Sequence, residues 1–108
     1  TITVDLEKMA LPKSISIGTL WDGKSWILHP SEVICLLSAD GNKFKQIGRK
    51  KIRGDQQNEP RTRKFEFTYS RDSIRYIRFE IKGFGPLPRW HASEGEPSWF
   101  FVDEVVVK

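Results

Sequence analysis

The chain has a single cysteine and no long apolar run, and these two shortages limit what it can be. Cys35 has no partner for an internal disulfide, and its apolar neighbours predict inert core packing. No apolar run approaches the roughly 20 residues that a membrane helix needs, so no membrane span is expected. Since no stretch has the apolar period of a helix, the sequence predicts an all-β protein.

The motifs of common enzymes and cofactor sites are also missing. There is no His/Cys cluster with zinc spacing, no nucleophile elbow and no glycine-rich phosphate loop. A glycosidase pair would have to come from Glu94, Glu96, Asp103 or Glu104. Because Glu94 and Glu96 lie in a Gly/Pro-rich loop without a preorganising shell, we expect no catalytic residue and no required cofactor.

Length and charge set the scale of the molecule. The 108 residues predict one domain, residues 1–108, and a chain that opens on Thr1 within a strand is expected to be a fragment of a larger protein. The net charge of +4 is concentrated in Arg49–Arg53 and Arg61–Lys64. This pattern favours a solvated loop between basic strand ends over an anionic-surface site. No aromatic residue is interleaved with it, so no nucleic-acid partner is expected.

Alternating apolar residues predict seven short strands in an antiparallel β-sandwich or barrel. The segment Glu32–Ser38 is apolar throughout, which predicts burial on both faces, and Ala39–Asn42 predicts a hairpin turn after it. The predicted strands are Thr1–Leu6, Ser14–Leu20, Glu32–Ser38, Phe44–Ile47, Lys64–Tyr69, Arg75–Lys82 and Trp99–Val107.

The apolar pattern of the last strand is compatible with two assignments of the face that packs on the core. Trp99, Phe101, Val105 and Val107 share a parity with Asp103. If that face is the core, Asp103 is buried and needs partners. Alternatively, a β-bulge at Asp103-Glu104 shifts the phase, and bulges are frequent at functional positions.

The tryptophans carry the functional signal. An exposed indole can stack on the C–H face of a pyranose, while neighbouring polar groups bind its hydroxyls. The loops supply such groups, and the candidate sugar-binding residues are Trp21, Asp22, Trp26, Arg89, Trp90 and His91. The alternative is that these tryptophans fix their loops to the core, which we favour for Trp99. His29 precedes Pro30 and is interpreted as a turn residue.

Several stretches resemble the discoidin-like modules, also called F5/8 type C or galactose-binding-like domains. The nearest resemblance is to the module of Bacteroides-type β-N-acetylhexosaminidases (chitobiases), and it covers nearly the whole chain. The stretches that carry it are Thr3–Leu6, Gly18–Asp22, Ser25–Ile27, Pro30–Val33, Ser38–Phe44, Arg75–Arg78, Pro88–His91 and Ser98–Val105.

The resemblance implies an eight-stranded β-sandwich of jelly-roll type that is not itself catalytic. It implies glycan binding through loops at one end, and a structural calcium that Glu104 would help to bind. We expect the N-terminal loop and strand of the family to be missing from this sequence, and the calcium site depends in part on that loop. The parent protein would be a secreted, periplasmic or cell-surface glycoside hydrolase.

The sequence therefore predicts a carbohydrate-binding-like module that holds a hydrolase near a glycan, one that contains N-acetylhexosamine. One alternative is a structural module that packs against the catalytic domain of its parent chain without binding sugar. Another is a module that binds anionic lipid surfaces through the basic segments.

Overall fold

The computed structural model describes residues 1–22, 25–51, 61–69, 72–87, 93–96 and 98–108, without the side chains of Arg61 and Asp103. Seven strands and no α-helix are found in this part of the chain, as the alternating apolar pattern predicted. The strands are β1 (Ile2–Ala10), β2 (Ser14–Trp21), β3 (Glu32–Ser38), β4 (Lys45–Lys51), β5 (Arg61–Thr68), β6 (Ile74–Lys82) and β7 (Phe101–Val107).

The strands form two antiparallel sheets that enclose one core. The order is β1-β6-β3-β4 in the four-stranded sheet and β5-β2-β7 in the three-stranded sheet. The core contains Ile15 and Ile17 from one sheet and Phe79 from the other, all with no exposed surface. Cys35 is also fully buried, which confirms its packing role, and burial raises the pKa of its thiol to about 12. An antiparallel β-sandwich is thereby confirmed.

The prediction that β3 is buried on both faces is wrong. Its side chains alternate, with Val33, Cys35 and Leu37 buried and Ile34 and Leu36 half-buried. The four-stranded sheet covers the core with one face and turns the other to solvent, as antiparallel sheets commonly do. Apolar residues on the outer face hid this alternation in the sequence.

The hairpin between β3 and β4 forms where the turn residues predicted it. Gly41 has φ +80°, which glycine adopts without steric cost. Oδ1 of Asp40 accepts hydrogen bonds from the backbone N–H groups of Asn42 and Lys43, at 2.8 and 3.0 Å, and from the hydroxyl of Ser38. These bonds lower the pKa of the Asp40 carboxyl to about 2, the Lys43 and Asn42 N–H groups contributing most.

Strand β4 is longer than predicted. The predicted strand ends at Ile47, but Gly48–Lys51 continue the ladder with β3 as far as the pair Glu32↔Lys51. Gly48 allows the two sheets to approach closely, because a Cβ placed there would lie 2.6 Å from the Phe67 ring. Residues 52–60, which include the end of the basic segment Arg49–Arg53, lie outside the described residues.

A β-bulge sets the phase of the last strand. Gly18 pairs with Glu104 but the next residue, Thr19, pairs with Val102, so the backbone of Asp103 is the extra residue. This confirms the bulge alternative. Val102, Val105 and Val107 pack on the core, and residues 99 and 101 lie in the opposite phase.

The expectation that Trp99 is a core residue is therefore wrong. Its side chain is 67% exposed, and Phe101 is 52% exposed. The bulge is the physical reason, because one extra residue reverses the face of every side chain before it.

Candidate functional site

A second, smaller apolar cluster anchors the loops at one end of the sandwich. Trp21, Leu28 and Leu87 are almost fully buried there, with Trp26 and Phe84 packed against them. Trp21 is only 6% exposed, so its ring offers no open face to a sugar. It instead has the alternative role, which is to fix its loop to the protein.

The loop after β2 is closed by backbone hydrogen bonds. The N–H of Asp22 donates to the carbonyl of Ile27 (2.7 Å), and the N–H of Ile27 donates back to Asp22 (3.0 Å). Between them Trp26 has φ +62°, a left-handed conformation that is uncommon for a non-glycine residue. The half-exposed carboxylate of Asp22 accepts a hydrogen bond from the Ser25 hydroxyl at 3.2 Å, so it is oriented within the loop.

Trp99 is attached to this loop through its backbone on both sides. Its N–H donates to the carbonyl of Trp26 at 2.8 Å, and its carbonyl accepts from the N–H of Leu28 at 2.8 Å. The backbone is thus fixed while the indole faces solvent. Trp99 and the two residues after it form the aromatic segment, Trp99–Phe101, in which Phe100 is 42% exposed.

The loop before β7 is held by its own short pairing. The N–H of Leu87 donates to the carbonyl of Glu96 (2.7 Å), and that of Gly95 donates to Leu87 (3.0 Å). The hydroxyl of Ser98 donates to the carbonyl of Gly85. The three predicted sugar-binding residues of this loop, Arg89, Trp90 and His91, lie outside the described residues, so their role stays a prediction.

His29 is bound to the core. Its Nδ1 lies 2.8 Å from the hydroxyl of Thr19, which has no exposed surface. Burial and the nearby charge of Arg63 lower the pKa of His29. The imidazole is therefore neutral at pH 7 and satisfies a buried hydroxyl, a contact that the sequence did not reveal.

The outer face of the three-stranded sheet has a shallow depression, which we call the trough. Its volume is about 90 Å³, and its lining includes the buried Gly18, which pairs with Lys64 on one side and Glu104 on the other. Both side chains are exposed and have no hydrogen-bond or ion-pair partner among the described residues. The residues that line the trough are Ser16, Gly18, Thr62, Arg63, Lys64, Glu104 and Val106.

The predicted calcium site finds no complete ligand set in the described part of the chain. Calcium takes six to eight oxygen ligands, commonly including several carboxylates. No group of three His, Cys, Asp or Glu side chains that could hold a metal is found among the described residues. Glu104 supplies one carboxylate beside Lys64, so these residues do not fit a calcium ion by themselves.

The basic segments are partly engaged within the protein. Nε of Arg49 lies 3.1 Å from the carboxylate of Glu32, and Nζ of Lys50 lies 5.9 Å from the centre of the Phe67 ring. Lys45, Lys51 and Lys64 are exposed. No helix long and apolar enough to cross a membrane occurs in the described ranges.

Neither a scan against protein-family models nor a search of curated proteins finds a match for this chain. The candidate site therefore depends on geometry. The structure brings Asp22, Trp26 and Trp99 together through backbone bonds and buries Trp21. Sequence reasoning missed Trp99 and Phe101 as exposed groups, and the signal that could have found them was the adjacent acidic pair Asp103-Glu104.

Proposed function

We propose that this chain is a non-catalytic module that binds a neutral glycan. In this proposal it is a discoidin-like module of a secreted, periplasmic or cell-surface glycoside hydrolase, and it keeps the parent enzyme near an N-acetylhexosamine-containing substrate. The catalytic domain of the parent chain would then act on the glycan, while the module contributes only binding.

One observation carries the proposal, the exposed indole of Trp99 on a fixed backbone. A tryptophan that is 67% exposed gains by covering its apolar face, and the C–H face of a pyranose is a flat partner for it. Because the backbone is bonded to Trp26 and Leu28, little backbone freedom is lost when a ligand binds. The carboxylate of Asp22 is a candidate hydroxyl acceptor on the adjoining loop.

The acidic residues support a binding role over a catalytic one. Glu94 and Glu96 are exposed on the turn of their loop. A general acid or a nucleophile needs a positioned partner in an enclosed site. Exposed carboxylates on a turn lack such surroundings, so binding is the better-supported role.

The expected affinity is low. A single stacked sugar with a few hydrogen bonds corresponds to a millimolar dissociation constant, or about −4 kcal/mol. Covalent attachment to a catalytic domain makes such an affinity useful by raising the effective concentration of substrate.

A proton–nitrogen NMR titration tests the proposal. N-acetylglucosamine, galactose and chitobiose are added at low and high salt, and we expect the Trp99 indole resonance to shift to saturation in both. Trp99→Ala should abolish the shifts of its neighbours. Leu11→Ala is the matched control, because Leu11 is a 53% exposed apolar residue outside the aromatic segment. Absence of any saturable shift in a folded spectrum would contradict the proposal.

A second candidate is an interaction module that packs against its catalytic domain. Three consecutive exposed aromatic residues favour it, because large apolar patches mark protein contacts. Phe100 discriminates between the two, since its ring lies near Gly83, on the other side of the strand from residues 99 and 101. Phe100→Ser should weaken domain packing and leave sugar binding unchanged. Binding of anionic lipid, the third reading, would instead weaken steeply with salt.

A further inference from the structure

The trough continues the surface that begins at the aromatic segment. Phe101 pairs with Leu20 on β2, and Gly18 lies two residues earlier on the same strand and the same face. Rows of side chains on one face of a sheet are about 7 Å apart. The exposed Phe101 ring is thus one row from Gly18 in the lining of the trough.

Gly18 is not required by the backbone. The glycines with positive φ among the described residues are Gly41, Gly85 and Gly95, so Gly18 has a conformation open to other residues. A glycine inside a central strand weakens the strand, and it often marks a position where a ligand or another backbone comes close. Gly18 is buried and forms part of the floor of the trough, between the exposed side chains of Lys64 and Glu104.

The polar groups of the trough are complementary to hydroxyl groups. Lys64 and Glu104 flank Gly18 from neighbouring strands, so their backbones are roughly 10 Å apart, twice the spacing of paired strands. A cationic donor on one side and an anionic acceptor on the other make this strip electrically balanced. Arg63 in the lining and Glu66 on the same face add one charge of each sign, so the balance is kept.

We propose that the trough is an extended subsite for a neutral oligosaccharide, in which one sugar stacks on Trp99 or Phe101 and the following sugars lie over Gly18 between Lys64 and Glu104. This inference rests on the proposed glycan binding and adds a place and a length to it. It predicts a preference for chains over single sugars.

The test compares single sugars with chains in the whole 108-residue protein. The probes are N-acetylglucosamine with chitotetraose, galactose with β-galactotetraose, and glucose with cellotetraose, titrated by calorimetry and NMR. We expect at least one tetrasaccharide to bind about tenfold more tightly than its monosaccharide, a difference that corresponds to 1.4 kcal/mol.

Gly18→Val tests the floor of the trough. A valine there adds bulk at the buried floor of the trough and favours strand structure, and its NMR spectrum shows whether the variant is folded before titration. We expect it to reduce tetrasaccharide affinity to the monosaccharide level and to leave monosaccharide binding unchanged. Thr68→Val is the matched control, because Thr68 is exposed on β5 at the opposite end of the same face.

Glu104→Gln removes the negative charge beside the trough and keeps the size of the side chain. We expect a several-fold loss of tetrasaccharide affinity, and no loss for Glu80→Gln, which alters an exposed glutamate of the other sheet. Equal affinity for single sugars and chains, or normal tetrasaccharide binding by folded Gly18→Val protein, would overturn the subsite and leave the proposed function standing. No binding of any probe by the unaltered protein would overturn both.

Discussion

Charged side chains on the two sheets differ in whether they are bonded to other side chains. On the four-stranded sheet, the guanidinium of Arg75 binds both carboxylate oxygens of Asp5 at 2.8 and 3.0 Å, and that of Arg78 lies 3.8 Å from the centre of the Phe44 ring. On the three-stranded sheet, Lys64 and Glu104 flank a glycine without partners among the described residues.

This difference indicates which face is available for a ligand. Groups that already bind one another must give up those contacts to bind anything else, whereas solvated groups exchange water for ligand. On the four-stranded sheet Asp5, Arg75 and Arg78 are engaged with other side chains. On the three-stranded sheet Glu66 accepts a hydrogen bond from Ser14, but Lys64 and Glu104 have no partner among the described residues and lie beside two exposed aromatic rings. The following predictions test this contrast, beginning with the largest expected effect.

The bulge in β7 turns Trp99 and Phe101 away from the core, and deletions can test it. Deleting Asp103 removes the extra residue and leaves Val102 opposite Thr19, so we expect a fold within about 1 kcal/mol of the original stability. Deleting Val102 leaves Asp103 to occupy the core position and should cost at least about 2 kcal/mol. Urea unfolding measures both, and equal losses would refute the assigned phase.

The same bulge explains how far the sequence could predict this molecule. Strands β1, β2, β5 and β6 follow directly from alternation, because each has one face on the core. In β3 the apolar residues of the outer face hide the alternation. In β7 the alternation is interrupted, and the sequence allowed two alternatives. Without a bulge Trp99 and Phe101 face the core, and with a bulge they face outward. The choice depends on the pairing partner in β2, which is a tertiary contact.

Aromatic residues on the two faces should respond differently to truncation. Phe44 is half-buried under Arg78, so Phe44→Ala loses the cation–π contact and packing, about 1 kcal/mol or slightly more. Phe101→Ala removes a half-exposed ring and should cost less than about 0.5 kcal/mol, because surface changes are usually small. In sugar titrations the order should reverse, with only Phe101→Ala weakening binding. The same order in both assays would count against the contrast.

Substitution of basic residues on the two sheets should also have different effects on stability, but smaller ones. Arg49 is paired with Glu32, whose side chain is only 18% exposed, so Arg49→Gln should lower stability by roughly 0.2–1 kcal/mol. Lys64→Gln removes a charge that has no ion-pair partner in the described part of the chain and should leave stability unchanged. Thermal unfolding at low and high salt measures both, with the Arg49 effect reduced by salt. A destabilising Lys64→Gln would reveal a structural partner for that lysine.

Acid should destabilise the protein through its engaged carboxylates. The bonds from Arg75 and from the N–H of Glu7 lower the pKa of Asp5, and the turn lowers that of Asp40 to about 2. A carboxyl with a lower pKa in the folded state stabilises the fold above its unfolded pKa, and this contribution is lost as pH falls through the folded value. Urea midpoints should therefore drop between about pH 4 and pH 2. Asp40→Asn should flatten that dependence, and an unchanged slope would contradict the turn geometry.

The claim that the three-stranded sheet binds the ligand with its outer face is tested most directly by NMR mapping of backbone shifts with the tightest-binding tetrasaccharide of the panel. We expect saturable shifts at Gly18, Lys64, Glu104 and Trp99, with Arg78 and Glu80 of the other sheet unaffected. Shifts centred on the four-stranded sheet, or none at all in a folded protein, would contradict it.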